Sequence, residues 1–91
     1  MSEIHFVWDL EDDPEGNYQH IVIDNGITLE EFEEVFRSNQ SNTTTSRSSG
    51  RPITFGETAT GKYIAIVWEH VMDDPWTVYP ITAYETNRPG E

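Results

Sequence analysis

The sequence predicts an α+β domain with the element order β-α-α-β-β-β: a small antiparallel sheet of about four strands with two helices on one face. Three observations lead there. Glu3-Ile4-His5-Phe6-Val7-Trp8 sets β-branched and aromatic residues side by side, as strands do. Two stretches between Asp9 and Ser38 place apolar residues at helical spacing. From Pro52 onward, strand-forming runs alternate with short turn signals. Elements in that order put the helices together on one side of the sheet.

The opening strand carries bulk at adjacent positions, so it is expected to be buried on most of both faces. Asp9 to Asp13 followed by Pro14 gives an Asp cap and a Pro at the first helical position. Tyr18, Ile21 and Val22 then share one helical face, and Asn25-Gly26 supplies a stop that tolerates left-handed geometry. The second helix begins with a capping box of Thr28 and Glu31, and Ile27 can staple against Phe32. Leu29, Phe32, Val35 and Phe36 line its apolar stripe. Glu30, Glu31, Glu33 and Glu34 read as a solvated face or as first-turn carboxylates favoured by the helix dipole.

Residues 39–50 are almost wholly Ser, Thr and Asn and are expected to form a mobile polar loop, since they offer no apolar anchor to offset the entropy of ordering. Strands follow at Pro52 to Glu57, Lys62 to Val71 and Trp76 to Tyr84, with turns at Thr60-Gly61 and Asp73-Asp74-Pro75. Pro80 cannot donate a ladder hydrogen bond, which sets the last strand at an edge or marks a bulge.

A chain of 91 residues with 35% hydrophobic and 12% aromatic side chains makes one domain, residues 1–91, with enough apolar bulk to order itself. The longest nearly apolar run, Tyr63 to Trp68, is far short of the roughly 20 residues of a membrane helix. Met1 to Phe6 lacks the basic start and apolar stretch of a secretion signal, so a cytoplasmic location is expected. There is no cysteine, which excludes disulfides, thiolate metal sites and a cysteine nucleophile. Seventeen acids against five Lys and Arg give a net charge of -12, a field that repels nucleic-acid backbones and attracts cationic surfaces.

Gly56-Glu57-Thr58-Ala59-Thr60-Gly61-Lys62 has the spacing of a phosphate-binding loop, but Tyr63 replaces the magnesium-binding hydroxyl. That loop also opens a helix, whereas Tyr63 to Val67 reads as a strand, so a β-hairpin connection is expected. His5, His20 and His70 lack the spacing of a zinc pair, and neither metal nor cofactor is expected. His20, on a predicted helix near polar neighbours, is a candidate acid or base. Arg47 and Arg51 flank Gly50 and mark the place where a phosphate would be met; ordinary solubilising charge is the competing account.

Several segments together resemble the BrnT-like family, whose compact fold is related to RelE-type ribonuclease toxins. The matching pieces are Phe6-Val7-Trp8-Asp9, Gly26-Ile27-Thr28 running into Glu30 to Phe36, and Gly50-Arg51-Pro52. The strand from Gly61-Lys62-Tyr63 to Val67-Trp68 and the stretch Tyr79-Pro80-Ile81-Thr82-Ala83 complete the set. The resemblance implies an RNA-cutting inhibitor of translation, neutralised by an antitoxin and working by acid-base chemistry without a metal. It departs from the family pattern where charge matters. Asp24-Asn25 stands before Gly26 in place of Lys-His, Tyr84 follows Ala83 in place of Arg, and the first helix has no basic residue.

The catalytic candidates are therefore His20, Arg51, Lys62 and Tyr84. Two functions compete. One is a toxin-family protein, as a weak or inactive ribonuclease with an antitoxin partner. The other is a non-enzymatic acidic module, such as a nucleic-acid mimic, that binds a basic protein. RNA is expected to bind weakly or not at all.

Overall fold

The computed structural model describes residues 3–88. Strands β1 (His5–Phe6), β2 (Thr43–Thr45), β3 (Pro52–Glu57), β4 (Tyr63–Asp73) and β5 (Trp76–Glu85) form one sheet in the order β1-β5-β4-β3-β2. Three pairings are antiparallel, and β1 runs parallel to β5. A π-helical turn (Gln19–Asp24) and helix α1 (Leu29–Ser38) precede β2. The class is α+β, but the sheet is mixed and has five strands where about four antiparallel ones were expected. No helix among the described residues is long and apolar enough to cross a membrane.

Alternation along β4 separates the two faces of the sheet. Ile64, Ile66 and Trp68 join Val78 and Ala83 in a core with Ile21, Ile27, Phe32, Val35 and Phe36 of the helical segments. Ala65 and Val67 point the other way and form a smaller cluster with Ile53. Phe36 is fully buried at the centre, with the rings of Trp68, Phe6 and Trp76 at 4.9, 5.3 and 5.4 Å. Truncating such a ring costs about 3–5 kcal/mol.

β1 is shorter than the expected strand, and it is buried on one side only. Ile4, Phe6 and Trp8 pack against the core, while Glu3, His5 and Val7 are exposed. As an outermost strand it has no layer beyond its second face, so adjacent bulky residues do not imply two-sided burial.

The expected Asp-Pro helix start is instead a turn. Asp13 accepts from Glu15 N through its side chain and from Gly16 N through its carbonyl, and helical geometry begins only at Asn17. Short Asp side chains that satisfy nearby backbone donors favour turns over helix continuation. The expected stop is present: Gly26 has φ +72°, a left-handed conformation that glycine adopts without penalty.

α1 starts as the sequence dictates. The Thr28 side chain accepts from Glu31 N, and the Glu31 carboxylate accepts from Thr28 N at 2.9 Å. Phe32, Val35 and Phe36 are buried. Glu30 and Glu31 stand in the first turn as expected, and Glu30 is exposed, but the other three glutamates are not a solvated face. Glu31 is buried, Glu33 accepts from Trp8 Nε1, and Glu34 accepts from Ala59 N. The wide apolar stripe rotates these carboxylates to the rim of the core, where neighbouring segments supply donors.

Within the polar tract, a 3-10 turn (Gln40–Asn42) leads into β2, which pairs Thr43, Thr44 and Thr45 with Thr54, Ile53 and Pro52. Threonine's β-branched side chain suits a strand, and the ladder to β3 supplies the anchoring that apolar residues do not. Gly56 on β3 lets α1's end approach, since an added Cβ would overlap the Asn39 side-chain amide. Pro80 marks a bulge as expected: Val67 faces Thr82 and Trp68 faces Pro80, leaving Ile81 as the extra residue.

Candidate functional site on the uncovered sheet face

Residues directly opposite each other in an antiparallel pair point to the same face, so the register lays out the side of the sheet away from the helices. Ile53, Val67 and Thr82 form one row, and Phe55, Ala65 and Tyr84 form the next. Beyond Ile53, the Arg51 guanidinium lies 4.0 Å from the carboxylate of Glu69, which pairs with Tyr79. Ile53, Ala65 and Val67 are buried beneath half-buried Phe55 and Ile81. Phe55 stacks on Tyr63 at 6.5 Å, and these two rings, Asn42 and Asn87 line an open cavity of about 300 Å³. The face is apolar and aromatic at its centre.

Three of the four predicted site residues meet this face. Arg51 and Tyr84 lie on it but in opposite corners, two strands and four residues apart, which is about 16 Å between backbones. His20 reaches it from the π-helical turn, its Nε2 2.7 Å from Thr82 Oγ1. It therefore stands one row from Tyr84. Lys62 is elsewhere, on the helix side. Its Nζ donates to Gly26 O at 3.0 Å and to Glu31 Oε1 at 3.2 Å. No single phosphate can meet all four.

The loop that mimics a phosphate-binding motif is the hairpin expected from its sequence. Thr58 N donates to Lys62 O and Gly61 N to Thr58 O, and β4 follows directly. Lys62 is drawn back toward α1 by Glu31. Burial pushes the Glu31 carboxyl up more than any one neighbour pushes it down. The Thr60 hydroxyl, the Thr28 backbone N–H and Lys62 together outweigh burial and hold it below the usual range.

A second cluster was not anticipated. Glu15, Gly16, Asn17, His20, Tyr79 and Ile81 line a cavity of about 250 Å³ beside β5. Tyr79 Oη donates to Asp9 Oδ2 at 2.6 Å, and Asn17 N donates to the same oxygen at 2.8 Å. Asn17 is buried and its amide nitrogen bridges Val7 O and Pro80 O at 3.0 and 2.9 Å. The Tyr79 and Asn17 bonds lower the Asp9 pKa against the opposing effect of burial. The hydrogen bond to Asp9 and burial push the Tyr79 phenol up to about 12, and the charges of Asp9, Asp13 and Glu69 add to the shift. The cavity thus sits in a negative field. Asp9 and Tyr79 lie 70 residues apart, and Asp9 read as part of a helix cap, so nothing local in the sequence joined them.

The basic residues are largely committed to carboxylates of the same chain. Arg37 pairs with Glu33 at 3.5 Å, Lys62 with Glu31 at 3.2 Å, Arg88 with Glu57 at 2.8 Å and Arg51 with Glu69 at 4.0 Å. The Arg37 guanidinium also stands 5.2 Å above the Phe6 ring. Arg47 is the one Lys or Arg among the described residues outside these pairs. No group of three or more His, Asp or Glu among the described residues is placed to hold a metal ion. Comparison of the chain with known protein families, with curated proteins and with solved structures returned no match.

Proposed function

We propose that this chain is a BrnT-like domain that works by binding a basic protein and not by cutting RNA. The observation that supports this reading is the pairing of Arg37, Arg51, Lys62 and Arg88 with carboxylates of their own chain. Metal-free RNA cleavage needs cations free to hold a phosphate and to stabilise the charge that develops on it. Here four of the five Lys and Arg already face carboxylates of their own chain, and a net charge of -12 repels the substrate while drawing a cationic surface in. An antitoxin of basic character, or another basic protein, fits this chemistry.

A second reading, a weak ribonuclease of a toxin–antitoxin pair, is favoured by one observation: Arg51, Tyr84 and His20's partner Thr82 share a sheet face. Induced expression in a host lacking any antitoxin separates the two. Wild type and Tyr84→Arg should both leave growth and RNA intact. The purified protein should bind a lysine-rich peptide with an affinity that falls as salt rises, and should not retain RNA. RNA cleavage with growth arrest by either folded variant would establish the ribonuclease instead. Failure to bind the peptide would remove the binding reading.

A further inference from the structure

The two edges of the sheet are finished differently. On the β5 side, β1 covers Thr77 and Val78, and the side-chain amides of Asn17 and Asn25 donate to Pro80 O and Ala83 O. Pro80 offers no N–H. On that side β5 is covered by the two-residue strand β1, two amides and a proline, devices that limit pairing with other chains. β2, the opposite edge, is also short, at three residues, but has no covering strand, capping amide or proline among the described residues. Its residues are Thr43, Thr44 and Thr45, with Thr44 and Thr45 exposed and no proline, lysine or bulge.

The ladder shows which backbone groups of β2 face outward. Ser46 N donates to Arg51 O at 2.7 Å, which makes Ser46 and Arg51 a hydrogen-bonded pair. Pairs alternate along an antiparallel ladder, so Thr44 and Ile53 are hydrogen-bonded, whereas Thr45–Pro52 and Thr43–Thr54 are not. The absent N–H of Pro52 and the close side-chain contact of Thr43 Oγ1 with Thr54 Oγ1, at 2.6 Å, agree with this alternation. The N–H and C=O groups of Thr43 and Thr45 therefore point away from the sheet.

Charge is also unevenly divided. All seventeen acids lie outside residues 35–56, and that stretch carries Arg37, Arg47 and Arg51. β2 lies in the one long acid-free segment of a chain whose net charge is -12.

We propose that β2 is the pairing edge for a second copy of this chain. The copies meet antiparallel about a two-fold axis at Thr44, so that Thr43 of each exchanges both backbone hydrogen bonds with Thr45 of the other. The contact is isologous, it closes after two copies, and it extends the sheet continuously across both. Among partners, a second copy fits best. A basic segment would meet Arg47 beside this edge and find no acid in the segment that carries it, whereas a two-fold pairing sets the acidic bodies at opposite ends of the dimer, where their repulsion is least. Because both copies are anionic, added salt should tighten the pairing by screening that repulsion.

The test is sedimentation of the full chain over a range of concentrations, with amide exchange read residue by residue. The mass should rise from 10.5 kDa toward twice that value, and more readily at higher salt. Thr44 N–H should be protected at every concentration, and Thr43 and Thr45 N–H only where the dimer forms. Thr45→Pro removes two of the four cross-chain bonds and should weaken the dimer by at least about tenfold. A chain that stays monomeric to millimolar concentration would overturn the proposal. So would a dimer in which Thr43 and Thr45 exchange freely, or one that Thr45→Pro leaves intact.

Discussion

Glu31 and Asp9 each tie a segment that precedes the main strands to the sheet, but they do so with different partners. Glu31 joins the start of α1 to the β3–β4 turn through Thr60 and Lys62. Asp9 joins the segment after β1 to β5 through Tyr79 and Asn17. Glu31 is buried and has a cation at 3.2 Å; Asp9 is half-buried and has neutral donors only. Both carboxyls are held below their usual range, so the lowered pKa does not distinguish them. What differs is the consequence of breaking each. Removing a buried member of an ion pair strands its partner and two further donors, Thr28 N and Thr60 Oγ1, while water can reach and replace a lost neutral bond at a half-buried site.

The largest effect should therefore come from Glu31→Ala. It takes away half of the capping box, the acceptor for Thr60 and the counter-charge for Lys62. Lys62 is one-third exposed and recovers some hydration, so the cost should be about 3 kcal/mol, toward the low end of broken buried pairs. Urea denaturation measures it. A loss under about 1 kcal/mol would place Glu31 with the ordinary surface pairs.

Asp9→Asn should cost less, about 1.5 kcal/mol, because the amide keeps an acceptor oxygen but loses the charge that strengthens both bonds. The sharper form of the comparison is salt dependence. Raising the salt should shrink the difference between wild type and Lys62→Met, which rests partly on screened charge, and leave the Asp9→Asn difference nearly unchanged. Equal salt responses at the two sites would erase the distinction.

The same contrast explains how much of the molecule was legible in its sequence. The capping box at Thr28 and Glu31, the hairpin turn at Gly61 and the bulge at Pro80 are local devices, and each appears where its residues predict it. The second role of Glu31 was not local: its carboxylate meets Thr60 and Lys62 from 29 and 31 residues away. β2 was hidden for another reason. Its ordering depends on pairing with β3, and a polar threonine run has the composition of a loop until a partner strand supplies the ladder. Of the site residues, His20, Arg51 and Tyr84 reach one face, but their separation follows from register across three strands. No spacing along the chain encodes that distance.

The smallest effect within the accessible range concerns the proton on Tyr79, and it separates the two carboxylates from the alkaline side. The Asp9 carboxylate accepts the phenol's proton in a 2.6 Å hydrogen bond, and loss of that proton would place two negative oxygens in contact. The folded-state pKa is accordingly raised from the usual 10.0 to about 12. A raised pKa means that the protonated form is the one the fold stabilises. The contribution is complete below pH 10, and it declines as the unfolded chain begins to release the proton that the folded chain retains. Stability should thus fall between pH 10 and about 12 in wild type. Tyr79→Phe carries no such proton and should lack this contribution to the decline, although it starts from a lower plateau because Asp9 has lost a donor. The Glu31 junction has no tyrosine, so Glu31→Ala should retain the wild-type alkaline slope. Urea midpoints measured from about pH 8 to about pH 10.5 would show the onset of the divergence. Parallel curves for wild type and Tyr79→Phe would mean that the phenol is not held by Asp9.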